Sequence, residues 1–481
     1  MIPEPDRIGS ATELATGSER WSAARLEEES AALAECIRNA WGGDGPPRIA
    51  HRFGLAPAAV VAIHATARAE ARLAPVHPGW DGDQVARFLD AADPDLLLTE
   101  PAAGFPGSGW SAVDAGTRAT AATGIRLLAR ARDGTRRSTL GLPAGTDVLL
   151  STSGPTGRPR VVCHSWDALR ANAVAAARRN RFGPGDTWLA TLAWAHVGGL
   201  AVVVRAGVVG ARIAFGPSRF DPADVATALG NADATHVSLV PAMLHAILDR
   251  GGPPPPSLRC ALVGGAATPP ALARRAVEGG WPAALTYGLT EMGSQVATGE
   301  PGDVSDEPGV VGPPLEGVEL RTGPGGEIET RGPSRSLGEP WSPLPPDAWL
   351  STGDLGALDA TGRLRVTGRR SDRIVTGGAN VDPAEVEAVL AAHPDVREVC
   401  VVGTPDDVWG EIVTAVVVAV RPPPAARVDA PPGLREWAES RLSGPRRPRR
   451  WWWVESLPRV AGGKVDRARV RHLASEGRTG E

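Results

Sequence analysis

Residues 149–162 read LLSTSGPTGRPRVV. The segment DVLLST (147–152) predicts a buried strand, and a loop of Ser, Thr and Gly follows it, with Arg158 and Arg160 behind the loop. Backbone N–H groups of such a loop can surround phosphate oxygens, and glycine allows a ligand to approach closely. The GxxxxGK[ST] pattern of a Walker A loop is absent. The segment is therefore either a phosphate-binding loop of another type or a plain turn.

Segments typical of strands and helices alternate around this loop. Residues 20–40 have the apolar spacing of a helix. Further short buried strands are predicted at TWLATLAW (187–194), ARIAF (211–215), THVSLV (235–240) and CALVGG (260–265). This alternation predicts an α/β fold with mostly parallel sheets, in which ligands collect at the carboxyl ends of the strands.

A second, smaller unit is predicted after a Gly- and Pro-rich stretch at residues 322–347, which we interpret as turns around short strands. Helices are predicted at PAEVEAVLAAH (383–393) and GLREWAESRL (433–442), and strands at VREVCVVG (396–403) and EIVTAVVVAV (411–420). About a hundred residues is a usual size for a small domain. We predict a large N-terminal domain of several subdomains over residues 1–369, a junction at 370–371 and a small α+β domain over 372–481.

Composition excludes several classes of protein. The net charge of −4 provides no overall field for nucleic acid or an anionic membrane. The four cysteines form no CxxC pair, so neither a zinc site nor a disulfide framework is indicated. The uncharged run Trp188–Val204 is too short to span a membrane, and no signal pattern opens the chain. These features predict a soluble, cytoplasmic protein. In SGPRRPRRWWW (443–453) a basic turn is favoured over a nucleic-acid site.

Lys464, in VAGGKVDRARV (460–470), is the only lysine among 51 Lys and Arg residues. An ordinary surface charge is the simplest interpretation of a lysine. Here, however, arginine occupies every other basic position. A lysine ammonium is compact and can approach a single developing charge, whereas a guanidinium is broad and planar. The retained lysine therefore favours a role that arginine does not fill.

Two further segments carry candidate site residues. In LTYGLTEMGSQVAT (285–298), Tyr287 can stack on a base, Thr290 can donate to a phosphate and Glu291 can bind Mg²⁺. In the segment 350–390, Asp354 can accept from two ribose hydroxyls and Arg369 can reach the same sugar or a phosphate. The alternatives are a core tyrosine beside a solvated glutamate, and a set of β-turns.

Taken together, these segments resemble the adenylate-forming superfamily of acyl- and aryl-CoA synthetases, luciferases and adenylation domains of peptide synthetases. The resemblance extends over roughly residues 20–470 in order and spacing. The family patterns [ST]SG[ST]TGxPKG, GGA, YGxTE, TGD, GRxxDxI and PxxxxGKxxR correspond to residues 152–161, 264–266, 287–291, 352–354, 368–374 and 458–467. Arg160, Val161 and Pro155 depart from the loop pattern, where the family has Lys, Gly and a hydroxyl residue.

The resemblance implies ATP, Mg²⁺ and CoA as ligands, and a role for each matching residue. Lys464, Thr290 and Glu291 would be catalytic, with Glu291 on Mg²⁺. His196, Gly265 and Ser294 would line the acyl pocket. Ser371 would be the hinge of a mobile C-terminal domain, and Gly377 and Gly378 would face CoA. The nucleotide would contact Thr152, Ser153, Gly154, Thr156, Gly157, Arg160, Gly264, Gly265, Ala266, Tyr287, Gly288, Asp354 and Arg369.

Within the superfamily, three segments are most similar to o-succinylbenzoate–CoA ligases of menaquinone biosynthesis: residues 195–215, 235–244 and 287–298. Arg205 or Arg212 would then meet the second carboxylate of the substrate. Two alternatives stay open, an adenylation enzyme that loads a separate carrier protein and a non-catalytic nucleotide-binding relative. The partners expected are small molecules, and a homodimer is left open.

Overall fold

The computed structural model describes residues 13–16, 19–43, 45–100, 110–113, 124–130, 140–153, 159–420, 433–460 and 464–476. Within these ranges the helices are α1 Ala23–Ala40, α2 Pro57–Arg68, α3 Gly82–Ala92, α4 Trp166–Asn180, α5 Val197–Val209, α6 Pro222–Asn231, α7 Pro241–Arg250, α8 Pro270–Glu278, α9 Pro383–Ala391, α10 Leu434–Arg441 and α11 Arg467–Glu476. Ser22 caps α1 by accepting from the Arg25 N–H, which explains why the helical pattern of residues 20–40 begins at residue 23.

An eight-stranded sheet contains most of the predicted apolar strands. Its members are β1 Glu13–Thr16, β2 Glu19–Trp21, β10 Thr187–Ala190, β11 Arg212–Phe215, β12 His236–Leu239, β13 Cys260–Val263, β14 Ala283–Leu289 and β15 Ser294–Thr298. The order is β15-β14-β13-β12-β10-β11-β1-β2. All pairings are parallel except those of β2 and β15 at the two edges. The prediction of a mostly parallel sheet is confirmed here.

A nine-stranded sheet is mixed. Its members are β3 Arg48–Arg52, β4 Arg72–Pro75, β5 Leu96–Thr99, β6 Trp110–Ala112, β7 Arg126–Arg130, β8 Val148–Ser153, β9 Pro159–His164, β19 Gly338–Glu339 and β20 Ser342–Pro343. β3, β4, β5 and β8 pair in parallel, and the pairings outside these four strands are antiparallel. The largest core cluster joins this sheet to the eight-stranded one through residues of α1, α2, α4 and α5.

A third sheet is antiparallel throughout and was not predicted as a sheet. It contains β16 Val310–Gly312, β17 Glu319–Thr322, β18 Glu327–Arg331, β21 Leu350–Leu358 and β22 Leu364–Arg369 in the order β16-β22-β21-β18-β17. Asp354 and Arg369 are register partners on β21 and β22. Two site candidates that are 15 residues apart in sequence are therefore neighbours across a strand pair.

The C-terminal unit has the predicted α+β composition and its own core. It contains β23 Ile374–Thr376, β24 Ala379–Val381, β25 Val396–Asp406, β26 Gly410–Ala419 and β27 Arg450–Trp453. One core cluster lies under α9 and α10, and a second lies under α11 on the other side of the β25–β26 pair. Both clusters consist of residues after Arg373. The boundary at 370–371 stays a prediction.

Asp382 lies where this unit meets the antiparallel sheet. It caps α9 by accepting from the Ala384 N–H, and its carboxylate sits against Gly368 of β22. A Cβ on Gly368 would be 2.2 Å from the Asp382 Oδ1 atom, so no other residue fits there without a shift. Burial raises the pKa of Asp382 to about 6, and the charge of Glu385 acts in the same direction.

We predict that Asp382→Asn stabilises the protein above pH 7 and has little effect near pH 4. A carboxyl whose pKa is raised by folding is disfavoured when ionised, so its cost is absent below its unfolded pKa and complete above about pH 6. Asn keeps the helix cap. After discounting for partial exposure, we expect a gain of about 1 kcal/mol at pH 8, measured by urea denaturation at both pH values. An equal gain at pH 4 and pH 8 would contradict the burial argument.

Candidate functional site

The side chain of Lys464 reaches the carboxyl ends of the parallel strands. Gly264 and Gly265 directly follow β13, and Gly265 has a φ of +79°. A Cβ on Gly265 would lie 3.5 Å from the Lys464 Cε atom, and a Cβ on Gly264 would lie 2.8 Å from the Thr286 carbonyl oxygen. Gly265 therefore leaves room beside the lysine side chain, and Gly264 allows β13 and β14 to lie close together. Ala266, the next residue, is exposed.

Asp354 connects three of the candidate residues. Its Oδ2 atom accepts from the Tyr287 hydroxyl at 2.7 Å, and its Oδ1 atom accepts from the Arg369 Nε at 2.7 Å. Asp354 is buried, and burial together with the Asp354 charge raises the pKa of Tyr287 well above its ordinary value. The tyrosine therefore stays a neutral donor, and each carboxylate oxygen retains a lone pair for a further donor.

Lys464 belongs to the same charge cluster. Burial of its ammonium group lowers the pKa of Lys464, the charge of Arg369 lowers it further and Asp354 opposes the change. The residue as a whole stays accessible to solvent, so the ammonium lies in a crowded cleft rather than inside the core. An incoming anion would be attracted here, because two cations face one carboxylate.

Arg467 fixes the helix that follows the lysine. Its guanidinium donates to both carboxylate oxygens of Glu387 on α9, at 2.7 and 3.1 Å. Its Nε atom lies 3.3 Å from Asp372, in the turn Arg370–Asp372 that contains Ser371. The lysine segment is thus tied both to α9 and to the predicted hinge.

The turn Thr290–Met292 follows β14 and places Glu291 near the phosphate-loop strand. The Thr290 carbonyl accepts from the His164 Nε2 of β9 at 2.7 Å, and the Glu291 carbonyl accepts from the Ser336 N–H at 2.7 Å. Among the residues that the structure describes, the Glu291 carboxylate accepts no hydrogen bond. Mg²⁺ commonly binds one or two carboxylates and completes its shell with water and substrate phosphates. A single free carboxylate fits that ion.

Gly288 and Ser294 form a tight crossing next to this turn. The β14–β15 pairing shifts register between Tyr287 and Gly288. A Cβ on Gly288 would lie only 2.1 Å from the Ser294 carbonyl oxygen, and Ser294 itself has a φ of +130°. The bulge requires glycine at position 288 and turns Tyr287 toward Asp354.

In the candidate phosphate-loop segment, residues 149–162, the structure describes the two flanking strands β8 and β9. Thr152 on β8 and Arg160 on β9 are register partners, so their side chains share one face. The Thr152 hydroxyl is buried without a partner in the described part of the chain. Ser153 ends β8, and Gly154, Thr156 and Gly157 lie outside the described residues. Arg160 pairs with Glu339 through two of its nitrogens.

His196 precedes α5, and Lys464 is close enough for its charge to act on the histidine. Its ring lies 4.9 Å from that of His77, centroid to centroid, and its Nε2 atom is buried without a partner among the described residues. Burial lowers the pKa of His196 to about 4, with smaller effects from His77 and Lys464 in the same direction. A neutral imidazole with a free nitrogen can donate to, or accept from, a polar ligand. His77 was not among the predicted site residues, although its place two residues after the end of β4 was a usable signal.

Arg205 and Arg212 have opposite environments. Arg212 is at the surface, where it donates to the Gly185 carbonyl at 3.1 Å and lies 3.8 Å from Glu13. Arg205 on α5 is 1% exposed and stacks 4.4 Å from the centre of the Trp188 ring. Burial lowers the pKa of Arg205 to about 10, and no carboxylate pairs with it in the part of the chain described. A buried cation of this kind is stabilised by an anionic ligand.

The predicted hinge residue follows Arg369 closely, and the predicted CoA-loop residues lie in the C-terminal unit. Ser371 is exposed in the turn Arg370–Asp372. Gly377 and Gly378 form the turn between β23 and β24, with φ values of +55° and +79°. A Cβ on Gly377 would lie 2.5 Å from the Trp409 ring, so this turn packs on the β25–β26 hairpin. No helix among the described residues is long and apolar enough to cross a membrane.

Comparison with known families gives two matches. Residues 5–334 match the model of AMP-binding enzymes, and residues 385–464 match that of the AMP-binding enzyme C-terminal domain. A 2-succinylbenzoate–CoA ligase of Bacillus cereus (strain ZK / E33L) is 35% identical over 344 residues, 68% of this chain and 70% of the relative. The corresponding ligase of Bacillus pumilus (strain SAFR-032) is 34% identical over 340 residues, 68% of each chain.

Solved structures resemble nearly the whole chain. The o-succinylbenzoate CoA synthetase MenE of Bacillus subtilis, in complex with the acyl-adenylate intermediate OSB-AMP, has a TM-score of 0.80 at 26% identity, covering 99% of this chain and 97% of that one. ATP-bound MatB of Rhodopseudomonas palustris has a TM-score of 0.79 at 25% identity, covering 98% and 96%. The amide bond synthetase McbA of Marinactinospora thermotolerans has a TM-score of 0.80 at 27% identity, covering 97% of each.

We predict that Tyr287→Phe lowers the free energy of unfolding by about 1–3 kcal/mol, because the buried Asp354 carboxylate loses a donor. Urea denaturation measures the loss. Ser440→Ala is the control, since it removes an exposed hydrogen bond to the Trp437 carbonyl and should cost less than about 0.5 kcal/mol. Equal losses in the two variants would mean that the Tyr287–Asp354 hydrogen bond stabilises the fold no more than an exposed one.

Proposed function

Because this chain belongs to the family of AMP-binding enzymes, we propose that it is an ATP-dependent acid–CoA ligase acting on 2-succinylbenzoate, a step of menaquinone biosynthesis. The observation that carries the proposal is the convergence of Lys464, Arg369 and the Tyr287–Asp354 pair at the glycines after β13. ATP and CoA are co-substrates, and Mg²⁺ accompanies ATP, as the ATP and magnesium complex of the Bacillus subtilis relative supports.

The reaction has two steps. A carboxylate oxygen of the acid forms a bond to the α-phosphorus of ATP, the bond from that phosphorus to the bridging oxygen breaks, and pyrophosphate leaves. The sulfur of CoA then forms a bond to the acyl carbon, AMP leaves and the thiol proton is released. The first step brings two anions together, so cationic groups fixed in advance lower its barrier.

In the first step, we assign Lys464 to the carboxylate and the α-phosphate, which would meet beside Gly265. Arg160 and the backbone of residues 152–157 would bind the β- and γ-phosphates, with Thr152, Ser153, Gly154, Thr156 and Gly157 as the contacting residues. Glu291 would hold Mg²⁺, which neutralises phosphate charge when bound, and Thr290 would donate to a phosphate. Two observations support these assignments: the Thr152 hydroxyl is buried without a partner in the described part of the chain, and the charge of Glu291 acts on Arg160.

The nucleoside would lie against Tyr287 and Gly288, beside Gly264, Gly265 and Ala266. Asp354 would accept from the ribose hydroxyls with its remaining lone pairs, and Arg369 would stay on the same carboxylate. His196, Gly265 and Ser294 would line the acyl pocket. Succinylbenzoate carries two carboxylates, and Arg205, buried and without a carboxylate partner in the described chain, is assigned to the one that does not react.

In the second step, Lys464 has to leave so that CoA can enter. We propose that residues 372–481 rotate about Ser371, bringing Gly377 and Gly378 to the pantetheine chain. The contact between Arg467 and Asp372 supports this assignment, because it joins the lysine segment to the turn that would rotate. The four cysteines are buried and form no disulfide, and together with these substrates this fits a cytoplasmic enzyme.

Two alternatives keep the fold and change the chemistry. A separate carrier protein would replace CoA as the thiol acceptor, and the similarity to an amide bond synthetase illustrates that this fold alone does not choose the acceptor. A non-catalytic nucleotide-binding protein is the second alternative, motivated by Arg160 in place of the family lysine. The presence of Lys464, Glu291 and Asp354 favours the enzyme.

We predict that pyrophosphate is released from Mg·ATP when 2-succinylbenzoate is present, and that a thioester forms only after CoA is added. A pyrophosphate assay with several aromatic and aliphatic acids, followed by mass spectrometry of the product, measures both. Release with another acid alone would retain the chemistry and change the substrate. If none of the acids leads to release of pyrophosphate, although the protein binds ATP, the non-catalytic alternative would be favoured.

We predict that Lys464→Ala lowers the adenylation rate on the order of 10²–10³-fold, because it removes a preorganised cation, and leaves thioester formation from supplied acyl-adenylate nearly unchanged. Single-turnover rates of the two half-reactions test this. Arg459→Ala is a control in the same segment, since this residue pairs with Glu398 on the C-terminal unit. Equal loss of both half-reactions in Lys464→Ala would contradict the rotation.

We predict that Arg205→Met lowers kcat/KM for 2-succinylbenzoate by about 10- to 100-fold, the effect of losing a hydrogen-bonded charge pair. The loss should be much smaller for 4-oxo-4-phenylbutanoate, which lacks the ring carboxylate. Arg212→Met is the matched control, because Arg212 is at the surface, and should leave both values unchanged. Equal losses for the two acids would assign Arg205 to the structure of the core instead.

A further inference from the structure

Glu339 lies beside the cation that the proposed function assigns to the β- and γ-phosphates. The Arg160 Nε donates to the Glu339 Oε1 at 3.1 Å, and the Arg160 Nη2 donates to the same oxygen. The two residues are 179 positions apart in sequence. One carboxylate therefore occupies two donors of the guanidinium, and these are the donors with which arginine binds phosphate in a forked geometry.

Arg160 points toward the nucleotide side of its sheet. Arg160 and His164 are four residues apart on β9, so their side chains share one face, and the His164 Nε2 donates to the Thr290 carbonyl. Thr152, the register partner of Arg160, lies on that face as well. The hydrogen bond to Glu339 raises the pKa of Arg160 above its ordinary value against the effect of burial, and the charge of Glu291 acts in the same direction as Glu339.

The backbone holds Glu339 in this position. Gly338 pairs with Cys163 of β9, and the Leu337 N–H donates to the Cys163 carbonyl at 2.8 Å. Three residues before Glu339, the Ser336 N–H donates to the Glu291 carbonyl at 2.7 Å. The segment from Ser336 to Glu339 therefore connects the turn that carries Glu291 to the strand that carries Arg160.

We propose that Glu339 is a positioning residue that competes with the β- and γ-phosphates of ATP for Arg160. With no nucleotide present, Glu339 holds the guanidinium at the edge of the phosphate site. When Mg·ATP binds, Arg160 exchanges this carboxylate for the phosphate oxygens, so the contact weakens the affinity for ATP. AMP has no β- or γ-phosphate and requires no such exchange. The proposal rests on the proposed function, because it takes Arg160 as a phosphate contact.

The size of the effect follows from the exposure of the pair. The side chains of Arg160 and Glu339 are 45% and 37% exposed. Ion pairs at such sites are weak, and an interaction of this strength changes an affinity by about two- to fivefold. The effect should increase at low ionic strength, where screening is weaker.

The test is isothermal titration calorimetry of the full chain with Mg·ATP and, separately, with AMP, in the absence of acid. We expect Glu339→Gln to bind Mg·ATP two- to fivefold more tightly than the wild type and AMP with unchanged affinity. Glu339→Asp, which keeps the charge on a shorter side chain, should fall between them. Glu316→Gln is the matched control, since it removes a carboxylate from an exposed pair with Arg178, and should change neither affinity.

Arg160→Gln supplies the second arm. In the Arg160→Gln background, the further change Glu339→Gln should have no effect on Mg·ATP binding, because the guanidinium for which Glu339 and the phosphates compete is absent. An unchanged or weaker affinity of Glu339→Gln for Mg·ATP would overturn the inference, and so would equal shifts for ATP and AMP. A wild-type protein that binds neither nucleotide would overturn the proposed function together with this inference. A wild-type protein that binds ATP and AMP, with no change in Glu339→Gln, would overturn the inference alone.

Discussion

The carboxylate of Asp354 is the interaction on which the rest of the site depends. It accepts from Tyr287 at the end of the eight-stranded sheet and from Arg369 at the end of the antiparallel sheet. The core clusters of the C-terminal unit, which carries Lys464, begin at Ile374, five residues after Arg369. The Asp354 carboxylate therefore joins two sheets and holds the strand that leads to this unit. Because Asp354 is buried and carries both hydrogen bonds, these positions are set relative to one another before any ligand binds.

The central strands could be predicted from the sequence because each is a continuous apolar run that fits only the buried interior of a sheet. Strands β10, β12 and β13 are buried along their whole length, and such strands appear as continuous hydrophobic segments. The antiparallel sheet was missed for the opposite reason. Strand β17 is mostly exposed and β18 carries three charged residues, so neither has an apolar signal, and the Gly and Pro residues around them suggest only turns.

For the site, short motifs identified the residues that lie close together in the fold, but not all of their partners. Lys464 was found because it is the only lysine of the chain, and Asp354 because it lies in a TGD motif. Glu339 could not be found in this way, because its contact with Arg160 depends on pairing between β9 and a two-residue strand that only the folded chain forms. The same holds for His77, which meets His196 across two sheets. Contacts of this type depend on long-range topology, whereas motifs record local spacing.

Because the chain has a single lysine, its surface has few groups that its own acyl-adenylate intermediate could acylate. An acyl-adenylate is a mixed anhydride, and the nucleophiles that attack its acyl carbon are free amines and thiols rather than protonated guanidinium groups. The arginine-rich surface is therefore inert toward intermediate that escapes, and the four cysteines are buried. The exception among the basic side chains is Lys464, whose lowered pKa increases the fraction of free amine beside the reactive carbonyl. Rotation of the C-terminal domain, if it takes place as proposed, would thus protect the enzyme from its own intermediate at the moment it admits the thiol.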